Sequence, residues 1–363
     1  MGRRFFESNA PVFGGAGMDD IERQTGVKRP GIAAICILFS VTILLFIFFG
    51  YRVQSRNFHS GIIITEFVLI SIPAAAFLFI SKFRIKDLLR LNRVKFINFF
   101  VIFWIVIFAI PLAALFNMFN LFIVDALFGK VVVTQMPVGA NGPELLMSIL
   151  IIAGSAGICE EFLFRGVIQR GFEDFGPLRS ILLAAFLFSL THLDFQKILG
   201  TFVLGVLIGF IVYRTNSLFC GMFAHFTNNA TAVIAGYISN KLLGLFQKGG
   251  GISPPTGDSI SEIFDIFSSM PRQQMTAVLV IYGFMFMFCA IIFVLLLYLL
   301  IRLNPAPTVS ESNTDAAGSK AKGLLWLIPG FLAIGLWFYS QACSFLNIGN
   351  GVTEVFRLMV GAG

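Results

Sequence analysis

The sequence predicts an all-α polytopic membrane protein, a bundle of about 8–9 transmembrane helices with an embedded catalytic core. Three observations lead there. Residues of the AVILMFWYC class make up 57% of the 363 residues, against about 45–50% apolar in soluble chains even with glycine counted. Charged residues fall to 12%, about half the soluble average and too few to cover a water-facing surface. The apolar residues also gather in runs near the ~20 residues that cross a hydrocarbon core.

The elements follow in chain order. Residues 1–30 are polar and carry Arg3, Arg4, Arg23, Lys28 and Arg29. They lack the early apolar stretch of a cleaved signal peptide, so the first span should stay as an anchor. Spans are expected at 31–50, 61–81, 96–117, 143–172, 180–196, 198–213, 217–238, 274–301 and 324–345. The stretch 118–129 is apolar but short and holds Asp125, which reads as re-entrant or interfacial. The run 143–172 is too long for one crossing, so its end should project or tilt. In the loop 239–273, Ile260, Ile263, Phe264, Ile266 and Phe267 alternate with polar residues at near-helical spacing. That pattern fits a short surface helix, or equally packing beneath the loop. Residues 304–322 are a flexible linker by composition. The organisation is then an N-terminal segment 1–30, accessory helices 31–142, a core 143–238, an extracytoplasmic loop 239–273 and C-terminal helices 274–363. No internal repeat is visible, which gives an inverted-repeat transporter no support.

The formal net charge is +7. Lys and Arg flank spans and set topology. No segment gathers them on a folded soluble face, so the lipid bilayer is an expected partner and nucleic acid is not. The loop 82–95 holds Lys82, Arg84, Lys86, Arg90, Arg93 and Lys95 against Asp87 alone. It marks the cytoplasmic side. Counting from it puts the N-terminus, the turn 173–179 and the segment 302–323 in the cytoplasm, with the chain in the plasma (inner) membrane. Cys36, Cys159, Cys220, Cys289 and Cys343 are scattered, nearly all in apolar runs, with no CxxC. Buried thiols are expected, not disulfides.

Charge inside a span costs about 2.5–3.5 kcal/mol per residue on insertion scales, so each such residue asks for a reason. The span 143–172 contains Glu160, Glu161 and Arg165. His192 and His225 stand in two further apolar segments, while His59 lies beside Asn57 and Ser60 in a loop and receives no role. Imidazoles with carboxylates bind zinc, or position and deprotonate a water. At 1.5 Å per residue, Glu160 and His192 lie ~18 Å and His225 ~12 Å from the cytoplasmic helix ends. One cavity can therefore hold all three. At ~100° per residue, Glu161 and Arg165 share a face and Glu160 points elsewhere. The expected division pairs Glu161 with Arg165 and leaves Glu160 facing the histidines. His225 and Asn229 are i and i+4 on one face, with Asn228 at i+3 as the other candidate amide.

The three motifs Glu160-Glu161-Phe-Leu-Phe-Arg165, Phe188-Ser-Leu-Thr-His192 and His225-Phe-Thr-Asn-Asn229 stand in separate membrane segments. In that order they resemble the CAAX protease and bacteriocin-processing (CPBP) family of intramembrane metalloproteases, which includes the type II CAAX prenyl endopeptidase. The resemblance covers 143–238. It implies an endopeptidase acting on membrane-associated peptides or proteins, with Glu160 as general base. It also implies that Glu160, His192, His225 and Asn229 hold a divalent metal such as Zn²⁺, or the water, and steady the oxyanion. Other intramembrane proteases fit less well, since the chain has no HExxH, GxSG or GxGD. Two rival readings stay open. One is a non-catalytic scaffold or bacteriocin self-immunity protein of the same fold. The other is a proton-coupled transporter, although the motif residues cluster at one depth instead of tracing a path.

Overall fold

The computed structural model describes residues 28–132, 137–248, 269–305, 317–349 and 351–360. Among them every regular element is a helix. The elements are α1 (Ile32–Arg56), α2 (Phe58–Ser81), α3 (Phe96–Phe128), α4 (Gly142–Phe175), α5 (Pro177–Leu190), α6 (Ile198–Thr215), α7 (Leu218–Lys248), α8 (Arg272–Leu303), α9 (Ala321–Phe345) and α10 (Gly351–Val360). Seven of them, namely α1 to α4, α6, α8 and α9, are long and apolar enough to cross a membrane. The protein is a multi-pass integral membrane protein. Only 11% of the apolar window of α8 is buried, so most of its surface faces lipid.

Local chemistry sets the boundaries. Asn57 separates α1 from α2, and its side chain accepts from Ser60 N at 3.0 Å to cap the second helix. The stretch 118–129 is not re-entrant: α3 continues through it to Phe128. Nothing between 117 and 128 breaks a helix. The first residue able to do so is Gly129, whose φ of 70° is the left-handed stop and whose N–H caps Asp125 O at 2.7 Å. The long run does project as expected. The 34 residues of α4 extend ~51 Å against a hydrocarbon core of ~30 Å. At the other end of the core, α7 continues past 238 to Lys248. The expected surface helix around 260–267 and most of the 304–322 linker lie outside the described residues, as does the segment before Lys28.

The span expected at 180–196 is corrected. The helix stops at Leu190 after 14 residues, ~21 Å and short of a full crossing. Residues 191–197 form a turn, with Leu193 at φ 50°. Backbone groups at that depth need protein partners, and the neighbours supply them. Trp337 Nε1 and Gln341 Nε2 both donate to Leu193 O, at 2.7 and 3.1 Å. Asn120 Nδ2 donates to Phe195 O at 2.8 Å. Gln196 reaches back to both the N–H and the carbonyl of Val132. The turn is a designed stop in the chain, walled by α3 and α9.

α4 lies at the centre. Phe164, Phe172 and Leu163 pack it against Phe39 of α1 and Phe188 of α5. A second apolar cluster joins α3, α6 and α7 through Ile102, Ile105, Ile208 and Ala224. Helices in lipid associate through close packing of small residues. Gly157 shows why: a Cβ there would stand 3.1 Å from Met222 O and 3.2 Å from Phe226 N, so glycine lets the backbones of α4 and α7 meet.

The connections sort to two ends as alternation requires. The 82–95 loop meets the turn after α4 through Arg90 Nη2 on Glu173 Oε1 (2.8 Å) and Arg170 Nε on Leu88 O (2.9 Å). It also meets the α6–α7 turn, where Leu218 N donates to Arg90 O at 3.0 Å. Arg214 Nη2 donates to Ile301 O at 3.0 Å, bringing the end of α8 to the same side. Lys86 of that loop and Ala140 before α4 are both exposed, and the native cysteines are all buried. A Lys86→Cys variant and an Ala140→Cys variant are therefore expected to react with a membrane-impermeant thiol reagent from opposite sides of intact cells. Labelling of both from one side would break the alternation.

Candidate active site

The site grows from α4. Wider π-helical turns at Ile149–Ser155 and Phe162–Ile168 flank the two adjacent glutamates. Such turns recur at functional sites because they re-aim the side chains around them. Glu161 and Arg165 form the pair expected from their spacing, with Arg165 Nη1 on Glu161 Oε1 at 2.7 Å and both side chains fully buried. Arg165 Nη2 donates to Gly205 O on α6 at 3.0 Å, and its guanidinium lies over the Phe188 ring at 4.5 Å. A Cβ at position 205 would stand 3.0 Å from Ala185 Cβ and 3.1 Å from Phe188 Cδ1, so the glycine lets α5 approach α6.

The structure adds a third member to this pair. His225 Nδ1 lies 2.8 Å from the same Oε1 of Glu161. A carboxylate only accepts, so Nδ1 carries the hydrogen and donates. His225 Nε2 is left open and faces Glu160 Oε2 at 3.8 Å. Phe188 is the shared wall: His192 and His225 stand edge-on to it at 5.0 and 5.7 Å.

His192 belongs to the turn after α5, not to a helix as the sequence reading placed it. Its Nδ1 donates to Phe188 O at 3.1 Å, which leaves Nε2 open. His192 and Glu160 line one cavity of about 150 Å³, together with Thr191, Thr42, Gln54, Thr65 and Glu66. That volume holds a handful of waters. Glu160 Oε2 is buried without a hydrogen-bond partner.

Asn229 sits one turn beyond His225 on α7, half-buried. Its Oδ1 accepts from Asn228 Nδ2 at 3.0 Å, and among the described residues no hydrogen bond joins it to Glu160 or either histidine. Its Nδ2 stays free to donate.

Two contributors were missed in the sequence. Glu66 of α2 is 7% exposed and its carboxyl lies against that of Glu160. The signal was a lone carboxylate within the apolar run 61–81, subject to the same insertion cost that drew attention to Glu160. Phe188 stood in a quoted motif only as a spacing marker.

Among the described residues no three His, Cys, Asp or Glu side chains gather closely enough to hold one ion. His225 Nδ1 is taken by Glu161, and His225 does not line the cavity that Glu160 and His192 share. As placed among the described residues, these donors do not fit a zinc set.

Residues 142–231 match a family model described as "Rce1-like: Type II CAAX prenyl endopeptidase Rce1-like". The match begins with α4 and ends just past Asn229, so it spans all three motifs in roughly a quarter of the chain. The matched segment is similar to the CAAX protease family that the three motifs resemble. No curated protein and no solved structure matches the chain.

The two histidines differ in what they hold. His225 is tied to the buried pair, whereas His192 bonds one carbonyl beside a cavity. Glu161→Gln and His225→Ala are expected to lower the melting temperature in detergent, the first by the equivalent of about 3–5 kcal/mol, because a buried charge loses its partner. His192→Ala should melt close to wild type. Equal melting of all three variants would dissolve the distinction.

Proposed function

We propose that this chain, whose segment 142–231 is similar to the CAAX protease family, is an intramembrane endopeptidase that cuts membrane-associated peptides or proteins with a water activated by Glu160. The observation that supports this reading is the cavity that Glu160 and His192 both line, with a Glu160 oxygen left without a hydrogen-bond partner. A base must stand within hydrogen-bond reach of the water it deprotonates, and the apolar side chains of Ile43, Phe46, Ile70, Leu163 and Phe164 line the rest of the cavity.

The steps follow from the groups present. Glu160 takes a proton from a cavity water that His192 Nε2 orients. The resulting hydroxide attacks the peptide carbonyl carbon. Asn229 Nδ2, one helical turn beyond His225 on α7, donates to the oxyanion that forms. Preorganised donors of this kind lower the barrier most where water is absent. The carbonyl re-forms as the C–N bond breaks, and Glu160 passes its proton to the leaving amine. Glu161 and Arg165 touch none of the reacting atoms in this scheme. They hold His225 and the helix backbone in register. The basic loop 82–95 orients the chain with its N-terminus in the cytoplasm, in the plasma (inner) membrane.

Glu160→Gln keeps size and hydrogen bonding but lacks the base. It is expected to melt like wild type and to leave uncut, in membrane fractions compared by proteomics, peptides that wild type cleaves. Identical cleavage in both strains would favour the scaffold or self-immunity reading. Peptide cleavage should also survive a strong zinc chelator, because no step uses a metal. Loss on chelation with recovery on added Zn²⁺ would return the metalloprotease scheme.

A further inference from the structure

We propose that Glu66 is a positioning residue for Glu160: α2 presents a second carboxyl that holds the general base at the edge of the cavity. The inference rests on the functional reading above and adds a residue that lies outside the matched segment 142–231.

Three observations on different elements converge on it. First, Glu66 is buried within α2 and lines the same cavity as Glu160 and His192. Second, the two carboxyls are in contact, although no connection in the chain requires it. Glu66 stands fifteen residues before the end of α2 at Ser81, and Glu160 fifteen before the end of α4 at Phe175. Both therefore lie ~22 Å from helix ends on the same side of the bundle. Third, Glu66 sits in a π-helical stretch, Ile64–Ser71, opposite the π-helical turns that flank Glu160. Its Oε2 is buried with no hydrogen-bond partner, and so is the hydroxyl of Thr42, which lines the same cavity. A buried polar group with no partner costs free energy. A span that only needed to fill lipid would carry leucine at position 66.

The contact has a chemical use. A free glutamate at 160 has three rotatable bonds and a half-open cavity to explore. One hydrogen bond from the neighbouring carboxyl limits that search and keeps the other oxygen on the water. Displacement of a reacting group by about 1 Å can cost about 100-fold in rate. Two carboxyls bond through one shared hydrogen, and a glutamine at 66 supplies that hydrogen from its amide. Conservative replacement should therefore preserve the function, and truncation should not.

The closing experiment has two arms on the full chain. In the first, melting temperatures in detergent for wild type, Glu66→Ala, Glu160→Ala and the double variant close a cycle. Contact predicts that the double shift is smaller than the two single shifts together. Additive shifts would overturn the proposal in active or inactive protein alike. In the second, cleavage is followed in membranes for the peptides that Glu160→Ala leaves uncut. Glu66→Ala should cut them at least about tenfold more slowly, and Glu66→Gln should recover most of the rate. Wild-type cutting by Glu66→Ala, beside an inactive Glu160→Ala, sinks this proposal and leaves the base in place. So does an equal loss in Glu66→Ala and Glu66→Gln that tracks melting temperature. If Glu160→Ala leaves uncut no peptide that wild type cuts, the endopeptidase reading itself is overturned.

Discussion

A guanidinium sealed inside a lipid-spanning bundle must find every acceptor it needs within the protein, because lipid offers none. Arg165 is such a group, and its side chain is completely buried. Its requirements tie four helices together. Glu161 on its own helix balances the charge, Gly205 on α6 offers a carbonyl, and Phe188 on α5 lays a ring beneath it. The oxygen of Glu161 that receives Arg165 also receives His225 from α7. Moving any one of these helices breaks a bond to a buried charge, which is the most expensive bond to break in this setting. Specificity of arrangement, more than net stabilisation, is what such a cluster contributes.

That arrangement decides how the adjacent glutamates differ. Glu161 takes both Arg165 and His225 on its Oε1, so its role is to hold. Glu160, one residue earlier, is rotated toward a cavity and keeps an oxygen without a partner. The histidines divide in the same way. His225 is anchored to the buried cluster by Nδ1, whereas His192 is placed by a helix that ends early. Both open Nε2 atoms follow from what the Nδ1 atoms are doing, the usual way a protein selects the working face of an imidazole.

The accessory helices are more than lipid filler. α9 and α3 satisfy the backbone of the 191–197 turn through Trp337, Gln341 and Asn120. Without them a polar turn at that depth would carry unpaired carbonyls. α1 and α2 supply the other walls of the cavity, including Thr42, Thr65 and Glu66. The recognisable motifs thus occupy one side of the site, and helices with no recognisable motif close it.

The sequence by itself determined the class, the positions of most spans and the Glu161–Arg165 pair. Those depend on composition, run length and the i,i+4 geometry of a single helix, all of which are local. It also pointed to Glu160, His192, His225 and Asn229, because charge and imidazole in apolar runs are costly wherever the helices lie. The tertiary structure decided what each of them touches. That α5 stops at Leu190 depends on side chains from α3 and α9 being there to satisfy the turn. That His225 binds Glu161 and only faces Glu160 depends on the rotation of α7 against α4, made possible where Gly157 lets the backbones approach. That Asn229 bonds Asn228, and that Glu66 meets Glu160, depends on how separate helices are turned toward one another. Helix faces follow from a sequence read one segment at a time, but the angle between two helices is set by the packing of both surfaces together.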